Sequence, residues 1–345
     1  MKSIRLFVPL AVGAMLLVAC GGGGDDKGSS DGGDGLSLNQ VRMAMDGDDY
    51  MNQVAWMISD DKYWPDLGFT KPAEVVASGE YIAGLIGGDV WVAQGESDVI
   101  WSALAEGSVP LTVVGVEKDT EAWFLGIRKG IDKNNLEGLK ISGGAAGDRN
   151  VIVGKHILEK LKVNPDKMNW VQVQGGSDER LQTLLAGKID VAVLQPRHVE
   201  PLKAGGGQMI FEEYNKVPQE VWVVTKETME KNRDAVCAYV QGRIAAKQWA
   251  SQGSGLVDNR DAAVAVATER KLKIEQGDYD DWPNEMKYNW ALDGGAPLDS
   301  FEQWNKDMIE SKNVPEGFKW KEHVDFSCLT QAQEKLGLKA NPGNL

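Results

Sequence analysis

RLQTLLAGKIDVAVLQPRHVEPLKAGG, residues 180–206, and YIAGLIGGDVWVAQGESDVIWSALAEG, residues 81–107, read alike. Each runs through a helix, a glycine, an aspartate, a strand, a polar loop and a second helix ending in glycine. A helical pattern that gives way to a short apolar strand and then resumes is the signature of α/β architecture. The unit occurs twice, so the chain is expected to hold two α/β lobes.

Working outward, "VRMAMD" (41–46), "AEVVAS" (73–78), "DVWVAQG" (89–95) and "LTVVGV" (111–116) read as strands of the first unit. Helices separate them, beginning with the one marked by Met51, Val54, Ala55 and Ile58. "EAWFLGI" (121–127) leaves this unit as a strand. A second alternation follows: "LKISGG", helix 148–161, strand "NWVQVQG", helix 178–187 and strand "IDVAVLQ". "QMIFE" (208–212) and "EVWVVTK" (220–226) read as two later strands. Beyond Lys226 the pattern turns helical, with one long helix over 227–252 and others over 260–272 and 301–311.

The helix ending in "LxxG", followed by a "D(V/A)A" strand, in both units resembles the substrate-binding proteins of ABC importers, in the sulfonate, nitrate and thiamine-precursor group. "NNLEGLKISGGAAGDRN" is similar to the second-lobe opening of that group, and the likeness continues to Gln195. It covers Val41 to about Ser251, most strongly 136–195, and is thin in the tail. The resemblance implies a two-lobed α/β fold of the type II periplasmic-binding-protein kind, with a helical C-terminal tail packed on lobe one. Lobe one is expected at 38–126 plus 224–345 and lobe two at 127–223. It further implies a protein that closes on a small-molecule ligand and presents it to the transmembrane subunits of an ABC permease. No cofactor is implied, and a monomer is expected.

The N-terminus fits export. Lys2 and Arg5 precede an apolar run, 6–19, too short for a comfortable membrane span. It ends in "LVAC", which resembles the lipobox of bacterial lipoproteins, so 1–19 is expected to be a signal peptide and Cys20 the lipidated residue. The Gly/Ser/Asp tract to residue 37 is a flexible tether that cannot bury a core. The expected location is the extracytoplasmic face of the cell membrane, held by lipid. In an oxidising compartment the remaining cysteines, Cys237 and Cys328, are expected to pair and pin the tail to the long helix; the alternative is two separate buried thiols. The formal charge is −14, and −16 without Lys2 and Arg5, which disfavours nucleic acid and anionic lipid surfaces as partners.

Ligands of open α/β sheets sit at the carboxyl ends of strands. In lobe one those ends carry Asp46, Asp48, Tyr50, Ser78, Gln94, Glu96 and Ser97, with Trp123 on the outgoing crossing. In lobe two they carry Gly143, Gly144, Gly147, Asp148, Arg149, Gln174, Ser177, Gln195 and Arg197. "SGGAAGDRN" is not a nucleotide-hydrolysis loop, because no "GK(S/T)" follows; Asp148 reads first as a helix cap. Trp56, Trp64 and Trp123, with Tyr50, are the candidates for a flat stacking surface, whereas Trp91, Trp170 and Trp249 read as structural. That surface and the loop carboxylates lean towards a nitrogen heteroaromatic such as a pyrimidine or a flavin; Arg149 and Arg197 keep an anion open.

Catalysis has little support. His156, His198 and His323 are scattered, no HExxH or GxSxG occurs, and no His/Cys cluster has metal-ligand spacing. The cysteine-rich motif of a thiamine-pyrimidine synthase in the same broad family is missing. Two alternatives remain alongside transport, a biosynthetic enzyme on the same fold and a ligand-presenting chemosensory module.

Overall fold

The computed structural model describes residues 36–45, 50–107, 110–144, 148–252, 260–271 and 289–342. The expected signal peptide, Cys20 and most of the tether lie outside them, as do Asp46, Asp48 and Gly147. Among the described residues, no helix is long and apolar enough to cross a membrane.

One eight-stranded mixed sheet organises the chain, in the order β2-β1-β3-β8-β4-β7-β5-β6. β1 (Gln40–Met45), β2 (Lys71–Ala77) and β3 (Val92–Glu96) run parallel at one end. β5 (Lys140–Ser142), β6 (Asn169–Trp170) and β7 (Val191–Leu194) run parallel at the other. Between them lie β4 (Leu111–Ile127) and β8 (Gln208–Thr225), antiparallel to each other along nearly their whole length.

These two long strands correct the expectation of four short ones. "LTVVGV" and "EAWFLGI" are the two ends of β4, and "QMIFE" and "EVWVVTK" the two ends of β8. Polar stretches in the middle, Glu117–Thr120 and 213–219, hide the continuity because they lack the apolar alternation of a half-buried strand. Two smaller corrections have local causes. The expected helix over 227–252 is two, α7 (Lys226–Lys231) and α8 (Arg233–Ser251), because Asn232 takes the non-helical φ of −131°. "NWVQVQG" pairs only through Asn169 and Trp170.

The apolar cores are built separately. The largest joins β1, β3, the first part of β4 and the last part of β8 to α1 (Tyr50–Ile58), α2 (Tyr81–Gly87), α3 (Ser97–Glu106) and α8. α10 (Leu298–Glu310) and α11 (Ser327–Lys335) of the C-terminal tail pack into it, as expected. α9 (Arg260–Glu269) adds Ala267. A second core packs α4 (Arg149–Lys160) on Trp123, Leu125, Ile127, Val191 and Val193. A third packs α5 (Ser177–Leu185) and α6 (Val199–Ala204) on Ala192 and Leu194. Cys237 on α8 and Cys328 on α11 form the expected disulfide, closing a loop of sequence separation 91. Holding that loop closed in the unfolded chain stabilises the fold by about 4.6 kcal/mol on a chain-entropy account.

Where β4 leaves the first core, Glu117 is wholly buried beside Arg243 (2.8 Å) and Lys247 (3.2 Å) of α8, also wholly buried. The Trp222 indole donates to the same carboxylate oxygen at 2.5 Å. Burial pushes Glu117 up, but the two cations and their hydrogen bonds outweigh it and hold the carboxyl below its ordinary range. Burial likewise drives Lys247 down, to about 8, against the pull of Glu117. The Lys247 ammonium also donates to the Glu117 and Ala291 carbonyls at 2.6 and 3.3 Å, stitching residues 289–294 to the β4 edge. Removing one member of a buried ion cluster leaves the others uncompensated. Glu117→Gln is therefore expected to cost about 3–5 kcal/mol in denaturant unfolding. Lys247→Met should cost clearly less, because Glu117 keeps Arg243. Equal losses would show that the pair with Arg243 does not dominate.

Candidate ligand cleft

Both parallel sets of strands pair antiparallel with the crossing strands, so their carboxyl ends point towards the middle of the molecule. Glu96, at the end of β3, lies opposite Glu220, and Leu194, at the end of β7, lies opposite Phe124. The loops expected to bind ligand therefore start on either side of the polar middle of β4 and β8.

On the β7 side three expected residues come together. Ser177, at the start of α5, donates its hydroxyl to Gln195 Oε1 (3.2 Å) and accepts from Arg197 Nη2 (3.1 Å). The same Arg197 nitrogen reaches Asp178 Oδ2 at 3.4 Å. Ser177 is buried, Gln195 half-buried and Arg197 exposed. Gly143 and Gly144 are buried nearby, after β5. A Cβ on Gly143 would sit 2.8 Å from the Asn150 backbone, so glycine lets this turn press against the first turn of α4. Gly144 has φ +115°, and a Cβ there would lie 2.3 Å from Asp148 Oδ2. Asp148 occupies the cap position of α4, as expected, but makes no side-chain capping bond; its charge acts on Arg180. Gln174 is exposed, and the side chains of Arg149 and Tyr50 fall outside the description.

Sequence reasoning missed Arg180 and His198, both 2% exposed. Arg180 reaches this wall through Nε, which donates to the Val193 carbonyl at 3.0 Å. Burial lowers its pKa, and Asp148 partly offsets that. His198 Nδ1 accepts the Gln195 N–H at 3.1 Å, which leaves the proton on Nε2 to be donated to Asp178 Oδ1 at 2.7 Å. A neutral ring tied at both nitrogens positions Gln195 and Asp178. Nothing in the one-dimensional spacing of three scattered histidines marks this.

On the β3 side, Gln94 is 2% exposed and donates to Glu220 Oε2 (3.1 Å), which pairs through its other oxygen with Lys118 (2.8 Å). Ser97 is fully buried, Glu96 exposed at the start of α3, and Ser78 half-buried with its hydroxyl taken by the Glu80 N–H (3.1 Å). The aromatic platform is a correction. Trp56, Trp64 and Trp123 are 7%, 0% and 5% exposed, and each is packed in a core. Trp64 stacks on Tyr239 at 5.5 Å and donates to its carbonyl, because α1 and its π-helical extension need a flat apolar contact on α8.

Comparison with solved structures settles the architecture. The periplasmic sulfonate-binding protein of Methylobacillus flagellatus KT superposes with a TM-score of 0.66 at 14% identity, covering 90% of this chain and 99% of the other. The nitrate-binding protein of Synechocystis PCC 6803 gives 0.65 at 12%, covering 90% and 93%. This chain has the type II periplasmic-binding-protein fold. A zinc-bound ligand-binding component of an ABC-type import system from Staphylococcus aureus also shares the fold, at 0.57 and 13%, covering 86% and 99%. So does DszB in complex with biphenyl-2-sulfinic acid, at 0.60 and 12%, covering 86% and 100%. No family profile matches the sequence, and no curated protein matches it.

Acid should loosen the β7 wall. Burial lowers the pKa of His198 below its ordinary 6.5, with the Asp178 hydrogen bond opposing. Burial raises Asp178, but His198 and Arg197 prevail and lower it. Both groups have folded values below their unfolded ones, so their contribution is full above about pH 6.5 and is lost progressively as pH falls. An NMR titration is expected to place His198 below 6.5. Asp178→Asn should move it lower still; an upward move would contradict the assigned hydrogen bond.

Proposed function

We propose that the chain captures a small polar solute between its lobes and delivers it to an ABC permease by hinge closure. The convergence of Ser177, Gln195 and Arg197 at the start of α5 carries this reading. Carboxylates (Asp178, Asp148) stand among the cations (Arg197, Arg180), so the wall offers donors and acceptors together rather than an excess of positive charge. Such a wall suits a solute with both N–H and carbonyl-type groups, such as an amino-pyrimidine, held by hydrogen bonds. The burial of Trp56, Trp64 and Trp123 removes the support for stacking, and with it the case for a flavin.

The relatives in fold are named as sulfonate-, nitrate- and import-associated binding proteins, which supports transport over catalysis. DszB shows that the fold alone does not decide. Two observations weaken the enzyme reading: His198 has both ring nitrogens engaged, and Cys237 and Cys328 are consumed by their disulfide. We place the hinge at Glu117–Glu121 of β4 and Lys216–Glu220 of β8, inboard of the lobe limits expected at 126 and 224.

A thermal-shift panel of pyrimidines, flavins, sulfonates, nitrate, polyamines and aromatic acids tests the reading. A ligand at a hundred times its dissociation constant adds about 2.7 kcal/mol, a shift of several degrees. Ser177→Ala and Gln195→Ala are expected to weaken that ligand about tenfold each, about 1.4 kcal/mol, with unchanged unliganded midpoints. Unaltered affinity in both would place binding elsewhere, and hits confined to sulfonates or nitrate would overturn the ligand class.

We also propose that the chain is held at the extracytoplasmic face of the membrane through lipid on Cys20. Labelled fatty acid is expected to enter the wild type and not Cys20→Ser; equal labelling would exclude that anchor.

A further inference from the structure

β4 pairs with β8 along one edge, and its other edge is shared out among several partners. β7 takes residues 124–127. Near the start of the strand, Val113 bridges Val324, and its carbonyl accepts the Asp325 N–H at 2.9 Å. Between these, the backbone of residues 289–294 lies along residues 116–119. The Val116 N–H donates to the Gly294 carbonyl at 2.8 Å, and the Asp119 N–H to the Asn289 carbonyl at 3.0 Å. In return the Ala291 N–H donates to the Glu117 carbonyl at 3.0 Å, and Lys118 forms an antiparallel bridge with Trp290. Glu117, Lys118 and Asp119 are buried, so backbone groups there need protein partners, and this segment supplies them.

The segment is itself fastened to the first core from several directions. Trp290 and Ala291 are buried in that core. On α8, Lys247 holds the Ala291 carbonyl at 3.3 Å and its neighbour Gln248 holds the Leu292 carbonyl at 2.8 Å. Gln333 of α11 donates to the Asp293 carbonyl at 2.9 Å. The Asn341 amide donates to the Asp293 carboxylate, also at 2.9 Å. Residues 116–119 are thereby tied through 289–294 to α8, α11 and the end of the chain. The cover stops at Asp119, and β7 takes over at Phe124. The register of β4 against β8 shifts between Lys118 and Thr120, at the border of the covered stretch.

We propose that residues 289–294 are a brace that fixes where β4 can bend. Residues 116–119 stay with the first core, and the strand turns between Asp119 and Phe124. This rests on the hinge-closure reading and moves the bending part of that hinge outward, to begin at Thr120. The C-terminal tail then has a task beyond packing, since it confines the rotation to a few residues, as hinges require. With the brace loosened, residues 116–119 follow the second core and more relative orientations of the cores become populated.

Pulsed electron paramagnetic resonance tests this without ligand. Spin labels go on Lys71→Cys, in β2, and Lys188→Cys, just before β7, both exposed, in the full chain carrying Cys20→Ser. The otherwise unchanged protein is expected to give one narrow distance distribution. Gln248→Ala and Lys247→Met each remove a fastening, and each should widen that distribution at least about twofold. Both should also speed exchange of the Val116, Asp119 and Ala291 amides, at least about tenfold. Ile100→Ala, which weakens the first core away from the brace, should leave the width unchanged. If Lys247→Met does not fold, Gln248→Ala decides alone. Faster exchange at unchanged width, no response in either readout, or equal widening in Ile100→Ala would each overturn the brace. Because no ligand enters, the outcome stands apart from solute capture by closure. That reading fails instead if every member of the thermal-shift panel leaves the label distance unchanged.

Discussion

Everything in this molecule depends on how two strands cross a gap between separate cores. An apolar strand running from Leu111 to Ile127 would fuse the cores into one. The middle of β4 instead carries Glu117, Lys118, Asp119 and Glu121, all nearly or fully buried. Burying a charge without a partner is prohibitively costly. Glu117 is matched by Arg243 and Lys247, Lys118 by Glu220, and Asp119 by Lys216. The first match ties β4 to α8, and the other two tie it to β8. Charge thus separates the lobes, and pairing keeps the separation affordable.

The same crossing generates the candidate cleft. Strands that enter the sheet from opposite ends and pair antiparallel with β4 or β8 must aim their carboxyl ends at each other. The loops expected to bind ligand then start on either side of the polar middle without any further device. Gln94 shows the economy: its amide donates to Glu220, the partner of Lys118, so an expected ligand residue is braced by the crossing itself.

The duplicated helix–strand unit was legible because its glycines and aspartates punctuate apolar runs of strand length. The disulfide was legible from compartment and cysteine parity. What escaped depends on partners distant in sequence. Glu117–Thr120 reads as a loop until Arg243 and Lys247, more than a hundred residues later, neutralise it. His198 reads as a stray histidine until Asp178 and the Gln195 N–H take its two nitrogens. Trp64 reads as a surface aromatic until Tyr239 on α8 covers it. In each case local pattern reports the cost of a residue and not the group that offsets it.

The proposed hinge would have to bend, and a continuous two-stranded ladder resists bending. The β4–β8 register shifts between Val116 and Lys118 and again between Lys118 and Thr120, within the same few residues that carry the charges. Bulges of this kind interrupt pairing and raise local twist, so backbone rotation there breaks fewer ladder bonds than in an uninterrupted stretch; further shifts lie between Val113 and Gly115 and between Leu125 and Gly126. Ion pairs between flexible side chains tolerate such rotation better than interdigitated apolar packing does, because their attraction falls off gently with distance. The polar middle therefore does two things that an apolar one could not. It keeps the cores distinct, and it puts ladder interruptions at the point where the hinge is proposed.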